Sequence, residues 1–304
     1  MSTQKSHCSG STCQQTETQA PLLLGHIALA CVGRLLFSKP EVKPVGAEQV
    51  YLYNHYAPLR HIADLDGVVT DLLAHPAPAD KPVVHMAEVL DLGHVELMAL
   101  MLALMVEEEP MVGRVLAHIQ APMGGSRPTL GLLEAALGPI SREQGWVSGH
   151  LLSGQAAALG VLQFLNTQAP LPEQMVKIPL RLALLLRGKG LKWPGCRDMV
   201  REESLRLPPS AVAAAARQAD ALGRADQSLL VIRSACKPEA LAVATEIATQ
   251  LRREALLVRA SSDELKGLGA ACQIGGRLPV FEIELGAEGE ASVPDLPGYR
   301  GPRL

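Results

Sequence analysis

The chain has 304 residues, of which 48% are hydrophobic but only 3% aromatic, and it carries 28 Lys and Arg against 31 Asp and Glu. That length suits two domains, and cores so poor in aromatics must rest on Leu, Ala, Val and Met, a mixture that favours helices. The formal charge of -3 excludes a global attraction to nucleic acid or an anionic membrane face, and six cysteines without a C-x-x-C pair point to reduced thiols rather than a disulfide framework.

Residues 1–20 are Ser/Thr/Gln-rich and read as a disordered tail. They hold one lysine and no arginine where a signal peptide needs a charged start. Apolar spacing predicts helices over 22–37 and about 62–73, followed by a loop at 75–82, where three prolines exclude a helix. The strongest helix is 93–108, whose Leu97, Leu100, Met101, Leu104 and Met105 form one stripe. Further apolar residues on its other faces predict burial on most sides. Neither 22–37, broken by His26 and Arg34, nor 95–106, with Glu96 inside it, supplies the ~20 apolar residues of a spanning helix.

Beyond Pro110 a helical piece is expected at 112–119, and Thr129 is placed to cap a helix over 130–137 that Gly138-Pro139 ends. Residues 176–180 suit a short strand before a helix at 181–187, and Gly188-Lys189-Gly190 suits a helix stop. Leu207-Pro208-Pro209-Ser210 is the best domain boundary, dividing 21–208 from 209–304. Ser210 can cap an alanine-rich helix running to about Leu222.

The last part alternates strand-like and helix-like runs: strands at 229–233, 255–259 and 279–285, with helices between them, the first at 239–251. That order is the signature of parallel βαβ units. A phosphate-binding loop needs glycines so that successive N–H groups can wrap the phosphates. The turn Ser234-Ala235-Cys236-Lys237-Pro238 has none. Lys237 lies near the place of a phosphate-binding lysine, and Glu282 and Glu284 near that of an acidic strand end, so all three are candidate vestigial nucleotide positions. His55, His61, Asp64, Asp66, His85 and His94 form a loose set in which His61 and Asp64 are three apart, but no third metal ligand is identifiable.

Three ordered segments carry a family likeness: His94-Val95-Glu96-Leu97-Met98-Ala99-Leu100-Met101-Leu102-Ala103-Leu104, then Gly113-Arg114-Val115-Leu116-Ala117-His118-Ile119-Gln120, then Ser126-Arg127-Pro128-Thr129-Leu130-Gly131-Leu132-Leu133. Together with 178–188 they resemble the N-terminal region of AAA+ ATPases encoded with phage-tail-like contractile injection systems. The resemblance covers roughly 62–285. It implies a variant winged-helix region followed by a degenerate AAA-type module, with the intact ATPase module last in such proteins. This sequence stops at Leu304, before any such module, which implies either a piece of a longer protein or a natural short relative. Residues 297–304 read as a connection cut midway.

The expected fold is therefore mostly α with a small α/β part: a helix-rich winged-helix-like region, then an incomplete βαβ module without a P-loop. The implied function is non-catalytic, partner recognition or ring scaffolding in the cytoplasm for injection-system components or AAA+ modules, with homo-oligomers formed through the parent ATPase. ATP and magnesium are expected only in that parent. No cofactor, nucleic acid or membrane is expected for this chain. The alternative is a winged-helix regulator that binds nucleic acid; against it, the candidate recognition helix 130–137 has only Glu134 as a charged residue.

Overall fold

The computed structural model describes residues 22–39, 41–122, 124–141, 146–190, 192–199, 206–224, 228–259, 265–283 and 292–304. The tail expected at 1–20 lies outside them, as does Glu284. The fold is mostly α with a small α/β part, as the composition implies.

Helices α1 (Leu24–Phe37), α2 (Gly46–Tyr56), α3 (Leu65–Ala74) and α4 (Lys81–Leu90) lead into α5 (His94–Glu108). Every residue of α5 from Val95 to Leu104 is buried, since apolar side chains occupy all its faces there. It packs against α1, α6 (Pro110–Ile119), α7 (Leu130–Leu137) and α8 (Val147–Ser153). Leu97, Leu100, Leu104, Leu116 and Leu133 are fully buried in one cluster. Among the described residues no helix is long and apolar enough to cross a membrane.

Three carboxylates fasten this bundle by capping helices remote in sequence. Asp80 Oδ2 accepts from Leu24 N–H at 2.8 Å, at the start of α1. Glu96 is 2% exposed, and its two oxygens accept from Gly93 N–H at 2.9 Å and Ala156 N–H at 2.7 Å, the latter at the start of α9 (Gln155–Ala158). Glu134 accepts from Ser148 N–H at 2.7 Å and Val147 N–H at 3.2 Å, at the start of α8. Each satisfies helix-end donors that would otherwise lack partners, and each places negative charge at the positive helix end.

Thr129 caps α7 as expected, its Oγ1 accepting from Leu132 N–H. A short antiparallel pair follows, β1 (Gln163–Leu165) with β2 (Met175–Lys177), and Met175 also bridges back to Thr129. After α10 (Leu180–Leu186), Gly188 adopts φ +71, with Gly188 N–H and Lys189 N–H bonded to the Leu185 and Leu184 carbonyls. That left-handed glycine is the predicted helix stop. Ser210 lies inside α11 (Pro209–Gly223) and provides no cap; Pro208 precedes the helix, which starts without a side-chain bond.

The sheet of the α/β part runs β3 (Cys196–Asp198), β4 (Glu254–Val258), β5 (Arg277–Phe281), with β3 antiparallel and β5 parallel to β4. Arg277 ties all three strands, reaching Asp198 and Glu254 at 2.8 Å each. The expected first strand at 229–233 does not form a ladder. Its pairing is one parallel bridge, Leu229 to Arg303, made by Leu230 N–H to Arg303 O at 3.0 Å and Arg303 N–H to Ser228 O at 2.8 Å. An apolar run reveals strand propensity but not how many residues of a partner lie alongside. Residues 303–304 are seated between this segment and β5, since Leu304 N–H bonds Pro279 O and Phe281 N–H bonds Leu304 O. Leu296, Tyr299 and Leu304 are buried, and Arg253 donates to the Tyr299 hydroxyl at 2.9 Å. Residues 303–304 thus add backbone pairs beside β5, and Leu296, Tyr299 and Leu304 are packed into the fold.

Side chains alternate along β4. Ala255 and Leu257 join Leu278 and Val280 in a core with α11 and α12 (Lys237–Gln250), contributed by Ala215, Ala219, Leu222, Ala244 and Ile247. Leu256 and Val258 point the other way, into a cluster with α13 (Leu268–Ile274) that is continuous with the helical core around α5. Gly269 lets α13 touch the tail, because a Cβ there would sit 2.1 Å from Pro297 O.

Truncating Leu100 to alanine should lower the unfolding free energy by about 2–5 kcal/mol in denaturant titration, the range for a buried leucine. A loss below about 0.5 kcal/mol, typical of surface sites, would remove α5 from the centre of the core.

Candidate functional site

In open α/β sheets, ligands sit outside the carboxyl ends of the parallel strands. Here that edge is formed by the residues after the Leu229 segment, after β4 and after β5. Lys237 is the first residue of α12, with Pro238 second and Cys236 before it. The Ser234 hydroxyl accepts from Cys236 N–H at 3.0 Å and also bonds the Glu239 carboxylate at 2.9 Å, closing a local turn. Glu282 follows β5 directly, lying outside the strand in which the sequence suggested it, and Arg259 follows β4.

The three side chains meet. Lys237 forms an ion pair with one oxygen of Glu282, and Arg259 Nε donates to the other at 2.7 Å. The Lys237 ammonium holds the Glu282 carboxyl below its ordinary value; partial burial opposes this, and Arg259 adds to it. Two residues singled out in the sequence 45 positions apart are therefore brought together, while Glu284 is outside the described residues. Arg259 was not singled out. It ends an apolar strand run, and nothing in a single sequence distinguishes a terminal arginine that reaches across to the next strand.

Magnitude decides what this cluster can do. Lys237 is 53% and Arg259 45% exposed, so each pair is worth at most about 1 kcal/mol in water. A ligand bound at micromolar affinity gains about 8 kcal/mol, so Glu282 alone could not keep phosphate away from Lys237. The backbone is the stronger obstacle. Residues 234–236 offer a side-chain-closed turn without glycine, so their N–H groups cannot wrap a triphosphate. What remains is a lysine and an arginine shared by one carboxylate at a helix start.

The other histidines and acids disperse into structural roles. Asp64 caps α3 by accepting from Gly67 N–H at 2.9 Å, and His94 pairs with Asp66 at 2.5 Å. His61 accepts from Arg60, and the His55 ring lies against that of His26. His61 and Asp64 thus have separate partners. Cys31 and Cys272 are buried, and burial pushes each thiol up to about 12. Such thiols are poor nucleophiles.

No protein-family model, curated protein or solved structure matches this chain.

Proposed function

We propose that the chain is the non-catalytic N-terminal part of an AAA+ ATPase of a contractile injection system, working in the cytoplasm by recognising a partner or scaffolding the ring. The observation that carries this reading is the meeting of Lys237 and Glu282 at the carboxyl edge of a parallel sheet, beside a turn without glycine. Those are the places a nucleotide module uses for its phosphate lysine and its acidic strand end, here joined to each other. The attribution to injection systems rests on the sequence resemblance over roughly 62–285, carried by the segments at 94–133 and 178–188.

The order of α6, the Thr129 bridge, α7, α8 and the β1–β2 hairpin, with β2 returning to Thr129, supports a winged-helix-like part. Its helices favour protein contacts over a duplex. Leu130, Leu132, Leu133, Ala136 and Leu137 of α7 are buried, and its single charge, Glu134, is engaged in capping α8. Helix α8 has no Arg or Lys to reach base edges or phosphates. ATP and magnesium belong, in this reading, to an intact ATPase module. Phosphoryl transfer needs a phosphate cradle and a carboxylate-held magnesium ion, and the residue after Lys237 is Pro238, which has no hydroxyl for the metal.

Calorimetric titration of the full chain with Mg-ATP should show no micromolar binding, and phosphate release should not exceed that of a Lys237→Ala control. Micromolar binding lost in that variant would overturn the degenerate-site reading and make Lys237 a true phosphate ligand.

Random duplex DNA at low salt should not be retarded by the chain in a gel. Retardation that weakens steeply as salt rises would contradict the protein-binding reading and favour the nucleic-acid regulator.

A further inference from the structure

We propose that His26 and His55 form an acid-sensitive latch that holds the first turn of α1 against α2 when both rings are neutral. The inference is independent of the injection-system reading. His26 is the third residue of α1, and its Nδ1 accepts from Leu23 N–H at 3.4 Å. A protonated imidazole carries hydrogen on both nitrogens and can no longer accept, so this cap exists only with neutral His26. Facing it across the α1–α2 contact is His55, with ring centroids 5.1 Å apart, and the Tyr51 ring lies 4.8 Å from His55 on its own helix.

The charged groups around the pair set the direction of the response. Burial pushes the His55 imidazole below its ordinary value; the neighbouring His26 lowers it further, and Glu109 at the start of α6 opposes them. Glu109 also lies beside the buried Tyr51 hydroxyl, which makes no well-aligned hydrogen bond among the described residues, and burial together with that carboxylate pushes the phenol up. From α6, Arg114 is paired with Glu48 and His118 with Gln49, both in the first turn of α2. Near His26 stand Asp80 and Arg187, the latter held by Glu108. Burial pushes the Asp80 carboxyl up, against the Leu24 N–H, Arg187 and His26, which hold it down.

The sign follows. An imidazole held below its ordinary value favours the fold when neutral, so that contribution is complete above the ordinary value of about 6.5 and is lost as pH falls through the lower folded value. A charge on the His55 ring would therefore stand 5.1 Å from the His26 ring beside the first turn of α1, the turn whose Leu24 N–H is held by the Asp80 carboxylate. The interior of the neighbouring α5, from Leu97 to Leu104, carries no titratable side chain and serves as the reference.

Amide hydrogen exchange on the full chain, corrected for its intrinsic pH dependence, tests the latch at about pH 7.5 and about pH 5.5, on either side of the ordinary imidazole value. Protection of residues 24–28 should fall severalfold, up to the ~10-fold ceiling that one imidazole can give one pH unit below its ordinary value, relative to the interior of α5 in the same sample. His55→Gln should keep the neutral-pH protection and lose severalfold less of it in acid than the wild type does. Equal protection at both pH values in the wild type, or an acid loss in both His55→Gln and His26→Gln as large as that of the wild type, would overturn the proposal. Should either variant misfold, proton NMR of the wild-type imidazoles decides: His55 titrating at or above the ordinary value would equally overturn it.

Discussion

The constraint on which the rest depends is the two-sided burial of β4. A parallel strand with both faces covered cannot be a surface ornament. Ala255 and Leu257 face α11 and α12, while Leu256 and Val258 face α13 and the helical core. The second pair joins the α/β part to the bundle by shared apolar burial, together with α13, which packs on α4. β3, which precedes Pro208 in the chain, adds a backbone ladder to β4. The strand is thus joined to the earlier part of the chain both by hydrogen bonds and by packing.

Around that constraint the helical part is ordered by charge placed with care. Asp80, Glu96 and Glu134 each give their oxygens to the N–H groups of a helix start elsewhere in the chain. A carboxylate buried without such partners would be costly to desolvate; with them it fixes where one helix begins relative to another. The same logic separates the caps from the surface triad of Lys237, Glu282 and Arg259. Exposed ion pairs contribute little, and the absence of a glycine cradle rather than the pairing itself argues against nucleotide chemistry.

Much of this was legible in the residues because local chemistry governed it. The stripe of α5, the Thr129 cap, the Gly188 stop and the strands β4 and β5 depend on neighbours in sequence, and the structure places them within a few residues of expectation. Helices α2 and α4 were harder to read. Residues 46–56 mix polar and aromatic side chains without a strong stripe, and α4 starts at Lys81-Pro82, where the prolines of the preceding loop hide a proline-compatible first turn. The segment at 229–233 has the composition of a strand, but among the described residues its pairing is the single bridge from Leu229 to Arg303. The seating of 303–304 beside it is a long-range event that no local pattern announces. In the candidate site, Lys237 and Glu282 could be nominated from their positions after strand-like runs; their contact, and the part taken by Arg259, required the parallel register of β4 and β5.

If β4 binds the two parts into one body, they must unfold together. Native-state hydrogen exchange as a function of denaturant, comparing the slowest amides of α5 with those of β4 and α12, measures this directly. The shared core around Leu256, Val258 and Leu268 predicts one opening free energy and one denaturant dependence for all three elements, as for a single cooperative unit. Amides of β4 and α12 that open at a clearly lower free energy and with a smaller slope, while α5 stays closed, would contradict it.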